Sequence, residues 1–160
     1  MGNSVRSVLV IANTGKHQAP ALAGEISRTL IDRGIETERF CYDGQATQIP
    51  RIEKFGGAIT LGGDGTVLFA SRVLAEHRIP ILPVNLGDFG FISEVAHDEW
   101  LDALDRYIAG EIEAGPRLVI EVEVFRRGER IDWFRGLNDA VIASAGIAKI
   151  VRLSVALGDQ

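Results

Sequence analysis

Cysteine is almost missing from this chain. Cys41 is the only one, so an internal disulfide is excluded, and with His17, His77 and His97 as the only histidines there is no thiolate–imidazole set for a zinc site. Cys41 reads as a small half-buried residue in a reducing compartment. Long hydrophobic runs are also missing: none approaches the ~18 to 20 residues that span a bilayer. The opening Met1-Gly2-Asn3-Ser4-Val5-Arg6 has Arg6 where a myristoylation signal needs Ser or Thr. A cytoplasmic protein without a membrane partner is the expectation. Positive charge is scattered as well. With 17 Lys and Arg against 22 Asp and Glu, the net charge is -5, and no basic block could track a nucleic acid. An anionic ligand must therefore be held locally, by backbone N–H groups and a few side chains. Two familiar phosphate motifs are absent too. No G-x-x-x-x-G-K-[ST] occurs, and Gly62 to Ser71 does not fit G-x-G-x-x-G with a later acidic ribose ligand.

What is present is the composition of a folded domain: 160 residues, 46% hydrophobic and 24% charged, enough to bury a core. Val5 to Ala12 is a short apolar β-branched run ended by Asn13-Thr14-Gly15, the pattern of a strand covered on both faces. Leu22, Ile26, Leu30 and Ile31 fall at helical spacing, with Gly34 where that helix should stop. Ile35 to Phe40 predicts a strand, and Asp43-Gly44-Gln45 with Pro50 a loop. The order then repeats: Gly57 to Leu61 as a strand, Gly62 to Thr66 as a turn, Val67 to about His77 as a helix buried through Val67, Ser71, Leu74 and Ala75, and Pro80 to Val84 as a strand. Strands alternating with helices imply a parallel, Rossmann-like α/β sheet with flanking helices, whose ligands lie beyond the strands' carboxyl ends. Asn13, the Gly62–Thr66 turn and Asn85 share that rim.

The grammar changes after an amphipathic helix carrying Trp100, Leu101, Leu104, Tyr107 and Ile108 and ending at Gly110. Leu118, Ile120, Val122 and Val124 alternate with Val119, Glu121, Glu123 and Phe125, and Arg127-Gly128-Glu129 turns the chain into Ile131 to Phe134. Val141-Ile142 and Val151 to Leu157 are further strand candidates. The division expected is an α/β nucleotide-binding unit over residues 1–112 and the beginning of an antiparallel β-rich second domain over 113–160. Its final strand meets the turn-like Gly158-Asp159-Gln160 without a partner, as though the chain were cut.

Gly62-Gly63-Asp64-Gly65-Thr66 carries the chemistry. Three glycines in four positions after the apolar Ala58 to Leu61 allow positive φ and close approach to a ligand. The following helix points its first N–H groups at that space, and Thr66 could cap the helix or donate its hydroxyl. Asp64 is the odd member, since a carboxylate repels phosphate. It makes sense as an acceptor from an attacking hydroxyl or as a contact to phosphate-bound magnesium; otherwise it only caps the helix. With an ordinary pKa of about 3.9 such an aspartate orients a hydroxyl more than it deprotonates it, which suffices for a loose phosphoryl-transfer transition state. Read singly, Phe91 could be a core aromatic, Asn85 a strand-ending turn residue and Asn138-Asp139 a turn between strands.

Leu61-Gly62-Gly63-Asp64-Gly65-Thr66-Val67-Leu68, Pro83-Val84-Asn85-Leu86-Gly87-Asp88-Phe89-Gly90-Phe91-Ile92-Ser93-Glu94 and Gly136-Leu137-Asn138-Asp139-Ala140-Val141-Ile142, in that order, resemble the NAD kinase family. The first turn alone is shared with diacylglycerol kinase-like and phosphofructokinase-like enzymes. The resemblance implies phosphoryl transfer from ATP, or polyphosphate, with magnesium, to the 2′-hydroxyl of the adenosine ribose of NAD, giving NADP. It implies that Asp64 activates that hydroxyl, that Gly63, Gly65, Thr66 and Leu68 line the same pocket and that Phe91 packs on the adenine. Asn138 and Asp139 would hydrogen-bond the NAD, Asp139 with a shorter reach than the family's usual Glu. Asn13 and Lys16, in the polar turn after the first strand, could face the phosphates. A homo-oligomer is also implied. The family's Gly-Ser-Thr-Ala-Tyr segment has no counterpart here, so the resemblance also leaves open a catalytically incomplete nucleotide-binding module.

Overall fold

The computed structural model describes residues 5–44, 49, 51–87, 90–144 and 150–158. The parts of the sequence-based reading that fall on Gln45, Pro50, Asp88, Phe89, Asp159 and Gln160 lie outside the described residues. Four parallel strands form the first sheet: β1 (Ser7–Asn13), β2 (Glu36–Tyr42), β3 (Gly57–Gly62) and β4 (Ile81–Asn85), in the order β2-β1-β3-β4. α1 (Ala19–Asp32) and α3 (Trp100–Ala109) cover one face, and α2 (Asp64–Leu74) covers the other.

The alternation of side chains along a strand sorts β1 between two cores. Val8, Val10 and Ala12 pack with Leu22, Ile26, Leu30 and Leu104, while Leu9 and Ile11 pack with Phe69, Ala70 and Leu74. This is why the run reads as continuously apolar. β1 and β3 are buried along almost their whole length, whereas β2, at the edge, is only part-buried. Gly34 stops α1 as expected, at φ +74, where its own N–H and that of Ile35 close on the carbonyls of Ile31 and Leu30.

An antiparallel hairpin follows, β5 (Val119–Arg126) with β6 (Glu129–Leu137), interrupted by a bulge at Val124/Phe125. Arg127 and Gly128 both adopt positive φ (55° and 86°), the geometry of a two-residue turn matched to strand twist. β6 lies against α2, and Arg135 forms an ion pair with Glu76.

Several expectations are corrected. α2 begins at Asp64, not Val67, because an acidic residue is favoured in a helix's first turn and Gly63 supplies the extended N-cap. Its buried stripe is Thr66, Val67, Phe69, Ala70 and Leu74, while Ser71 and Ala75 are only half-buried. Ile31 and Leu101 are exposed, each one step round its helix from the buried stripe. Cys41 is exposed on edge strand β2. Val141-Ile142 and Val151 to Leu157 are not strands: the chain turns away at Asn138 (φ 67), and among the described residues no strand pairs with either segment.

One close approach ties α3 to the sheet. Gly57 leaves no room for a Cβ against the Tyr107 hydroxyl, which is buried without a hydrogen-bond partner and pushed up to a pKa of about 12 by that burial. Gly57→Ala is expected to destabilise the chain by about 1–3 kcal/mol through overpacking. Adding Tyr107→Phe should recover part of the loss, because the clashing and unsatisfied hydroxyl is then gone. Denaturant unfolding of the two single variants and the double variant measures the coupling; strictly additive losses would show that this contact is not the cause.

Candidate functional site

The sheet order reverses direction between β1 and β3, so a crevice opens beyond their carboxyl ends at this switch point. Asn13 ends β1 there and Gly62 ends β3. Asn13 Nδ2 donates to Thr66 Oγ1 at 3.1 Å, and Asn13 Oδ1 accepts from the Gly15 N–H at 2.9 Å. Asn85 repeats the second contact at the end of β4, its Oδ1 accepting from the Gly87 N–H at 3.0 Å. Both asparagines thus turn the chain sharply off the rim.

Gly62 is needed for space, not for positive φ. A Cβ on Gly62 would overlap Thr66 and come within 3.1 Å of the Asn13 Cβ. Gly63 is extended, at φ -115, and around Gly63 and Gly65 there is nothing within 4 Å of an added Cβ. The crevice is therefore open directly above the start of α2. There the N–H groups of Asp64 and Gly65 have no acceptor within the helix, and the helix dipole favours negative charge. Thr66 is buried beneath this opening and fills the volume Gly62 vacates; no side chain caps the helix. Leu68 is half-buried on the next turn.

Asp64 does not point freely into the crevice. Its Oδ2 accepts the Phe91 N–H at 2.9 Å. Its Oδ1 accepts the Ile92 N–H at 3.1 Å, the Ser93 N–H at 3.1 Å and the Ser93 hydroxyl at 3.0 Å. The Phe91 N–H foremost, then the Ile92 and Ser93 donors, hold its carboxyl below the usual range against the opposing effect of desolvation. The loop must pass close to achieve this: a Cβ on Gly90 would overlap the Ser93 hydroxyl and lie 3.1 Å from Asp64 Oδ1. Phe91 is 96% exposed, which excludes its reading as a core aromatic.

Lys16 arrives from the loop after β1, its Nζ 3.7 Å from the position of a Cβ on Gly87. It brings a positive charge across to the end of β4. Asn138 and Asp139 follow β6 and are exposed. Their N–H groups bond within the hairpin region, to the Leu118 and Leu137 carbonyls at 2.9 Å each. Asn13, Lys16, Asp64, Thr66 and Phe91 are thus joined through one rim, whereas Asn138 and Asp139 are reached only through the packing of β6 on α2. Ser93 and Gly90 were the members given no role by the sequence. Their only signal was membership of the Gly90-Phe91-Ile92-Ser93 run, because a nest of backbone donors carries no side-chain signature.

Among the described residues no group of three or more His, Cys, Asp or Glu could hold a metal ion. Asp64, the carboxylate at the turn, accepts four hydrogen bonds from the Phe91–Ser93 segment.

Fold and rim together define a doubly wound α/β unit with an anion-ready helix start at its switch point. A family model described as the ATP-NAD kinase N-terminal domain matches residues 46–112. The NAD kinase of Treponema denticola is 35% identical over 151 residues, which cover 94% of this chain and 53% of that protein. The NAD kinase of Treponema pallidum is 37% identical over 152 residues, covering 95% and 50%. The crystal structure of an NAD kinase from Archaeoglobus fulgidus in complex with ATP shares the fold, with a TM-score of 0.54 at 19% identity over 81% of this chain and 57% of that one. The chain is similar to these NAD kinases and spans about half the length of the curated relatives it matches.

The Asp64 contacts carry a pH signature. A depressed carboxyl pKa contributes stability above the ordinary value near 3.8 and loses it as pH falls through the folded-state value. The amide proton shifts of Phe91, Ile92 and Ser93 are expected to hold steady through pH 3.8 and change together below it. In Asp64→Ala they should have moved already at neutral pH. An NMR titration reads this directly; transitions centred above 3.8 would contradict the geometry.

Proposed function

We propose that this chain is the nucleotide-handling part of an NAD kinase, transferring the terminal phosphoryl of ATP, or of polyphosphate, to the 2′-hydroxyl of the adenosine ribose of NAD. The observation that carries the reading is the placement of Asp64: an ionised carboxylate at the start of α2, on the rim of the switch-point crevice, with open space over Gly63 and Gly65. Its two oxygens are unequally used. From the described residues Oδ1 accepts three hydrogen bonds and Oδ2 one, the Phe91 N–H, which leaves Oδ2 a lone pair for a substrate hydroxyl.

A carboxyl held below its usual range is a poor base at neutral pH. Asp64 therefore orients the hydroxyl and stabilises its developing positive charge as the new O–P bond forms and the bond to the donor's remaining phosphate chain breaks, the hydroxyl proton then passing to solvent or to the phosphate oxygens. The free N–H groups at the start of α2, with Lys16, would neutralise phosphate charge. Phe91 would stack on the adenine, with Gly63, Gly65 and Leu68 lining the pocket. Thr66, beneath it, would support the turn, Asn13 would hold Thr66, and Asn138 and Asp139 would close on the ribose from the β6 side. Magnesium would be bound together with the phosphates of the donor.

The reading extends to organisation. Residues 1–112 form the nucleotide-binding unit, residues 113–160 begin a β-rich second domain, and the exposed apolar residues of the hairpin, Phe125, Trp133 and Phe134 among them, suit association into a homo-oligomer. No helix among the described residues is long and apolar enough to cross a membrane, in keeping with a cytoplasmic kinase.

Incubation with ATP, magnesium and NAD is expected to yield NADP, and Asp64→Asn to lower kcat by about a hundredfold or more. Binding of NAD without turnover would favour a nucleotide-binding module over a catalyst. Turnover undiminished in Asp64→Asn would remove Asp64 from the chemistry.

A further inference from the structure

Among the described residues Ser93 alone gives Asp64 two donors, its N–H and its hydroxyl, both to Oδ1. It is also buried, at 4% exposure, in a loop otherwise near the surface: Phe91 beside it is 96% exposed. A buried serine whose hydroxyl faces a carboxylate fixes that carboxylate's rotation about its Cβ–Cγ bond. The three N–H groups already distinguish the two oxygens, and the Ser93 hydroxyl adds the side-chain donor that tightens the hold on Oδ1. Gly90 confirms how tightly the hydroxyl is placed, since the space a Cβ would need there is filled by Ser93 Oγ and Asp64 Oδ1.

We infer that Ser93 is a positioning residue for Asp64: its hydroxyl pins Oδ1 so that Oδ2, with its one vacant lone pair, is the oxygen turned to the acceptor hydroxyl. This rests on the kinase reading above but makes a separate claim, about which oxygen works and what holds it. Ser93 touches no substrate in this account. Without its hydroxyl the carboxylate keeps its three N–H donors and its charge, so the nucleotide site survives, but Oδ1 loses one of its three donors and the carboxylate and the oriented hydroxyl are held less tightly. Ser93 also contributes to holding the Asp64 carboxyl low, so its removal lets that carboxyl titrate at higher pH.

The test is Ser93→Ala in the full chain, a change of one buried oxygen that leaves the backbone contacts in place. Carbon-13 NMR titration of the Asp64 carboxyl needs no turnover and is expected to show its midpoint moved upward; an unchanged midpoint overturns the hold of Ser93 on Asp64. With NAD, ATP and magnesium, kcat is expected to fall roughly fivefold, the factor one hydrogen bond commands. KM for NAD should be retained, and the acid limb of the pH–rate profile should shift upward. An unchanged kcat, or a loss confined to KM, overturns the positioning role. A wild-type chain that forms no NADP would count against the kinase reading, and the carboxyl titration would still decide the Ser93 contact by itself.

Discussion

The carboxylate of Asp64 bonded to the backbone of Phe91, Ile92 and Ser93 is the contact on which the site depends. It joins two segments far apart in sequence, the start of α2 and the loop that leaves β4. That loop is fastened a second time just beyond, where Val95 bridges to Val84 and exchanges backbone hydrogen bonds with Pro83 and Asn85. Together these contacts cover the open edge of β4 and hold the loop across the end of the sheet. Edge strands left bare invite other chains to pair with them, so the loop also protects the sheet while it shapes the crevice.

The same contact resolves an electrostatic conflict. A carboxylate beside a phosphate would raise the energy of that anion, yet the charge of Asp64 is shared with three N–H groups and a hydroxyl and lies at the favourable end of a helix dipole. What remains for a ligand is a weakly basic, well-oriented acceptor beside helix N–H groups that are still free. Orientation, more than proton abstraction, is the chemistry such a group can supply. The glycines divide accordingly: Gly62 and Gly90 are needed because neighbours crowd them, while Gly63 and Gly65 border open space among the described residues.

Much of this was legible in the sequence where a side-chain pattern reports the structure. The apolar run of β1, the stop at Gly34, the positions of the four parallel strands and the Arg127-Gly128 hairpin all follow from periodicity and turn chemistry, because burial and backbone sterics act on each residue locally. The rim was legible too, since parallel topology puts strand ends together: Asn13 and Thr66 do meet. What stayed hidden was set by contacts without a side-chain signature. The start of α2 at Asp64 depends on Gly63 as an extended N-cap, and the engagement of Asp64 depends on backbone donors more than a dozen residues away. Val151 to Leu157 has the composition of a strand, but alternation predicts only a surface suited to pairing, and among the described residues no partner strand supplies the ladder.

The hairpin is the least secured part of this arrangement. Two antiparallel strands alone are marginal in water, and β5 and β6 leave Phe125, Ile131, Trp133 and Phe134 exposed. Their ties to the α/β unit are the burial of Leu137, the packing of β6 on α2 and surface ion pairs, Arg135 with Glu76 and Arg117 with Glu94 at 2.5 Å. Exposed ion pairs contribute little to stability, so Leu137 and the α2 contact carry most of the attachment. Asn138, immediately after Leu137, is bent into the left-handed region, and Asp139 folds back so closely that its carbonyl occupies the space a Cβ on Gly136 would need. The tight turn makes Asn138 and Asp139 rigid relative to β6, while the orientation of β6 itself rests on a small apolar anchor. A ligand held by Asp64 on one side and by Asn138 and Asp139 on the other would therefore add the contact the hairpin lacks, and binding would stabilise the union of the two sheets.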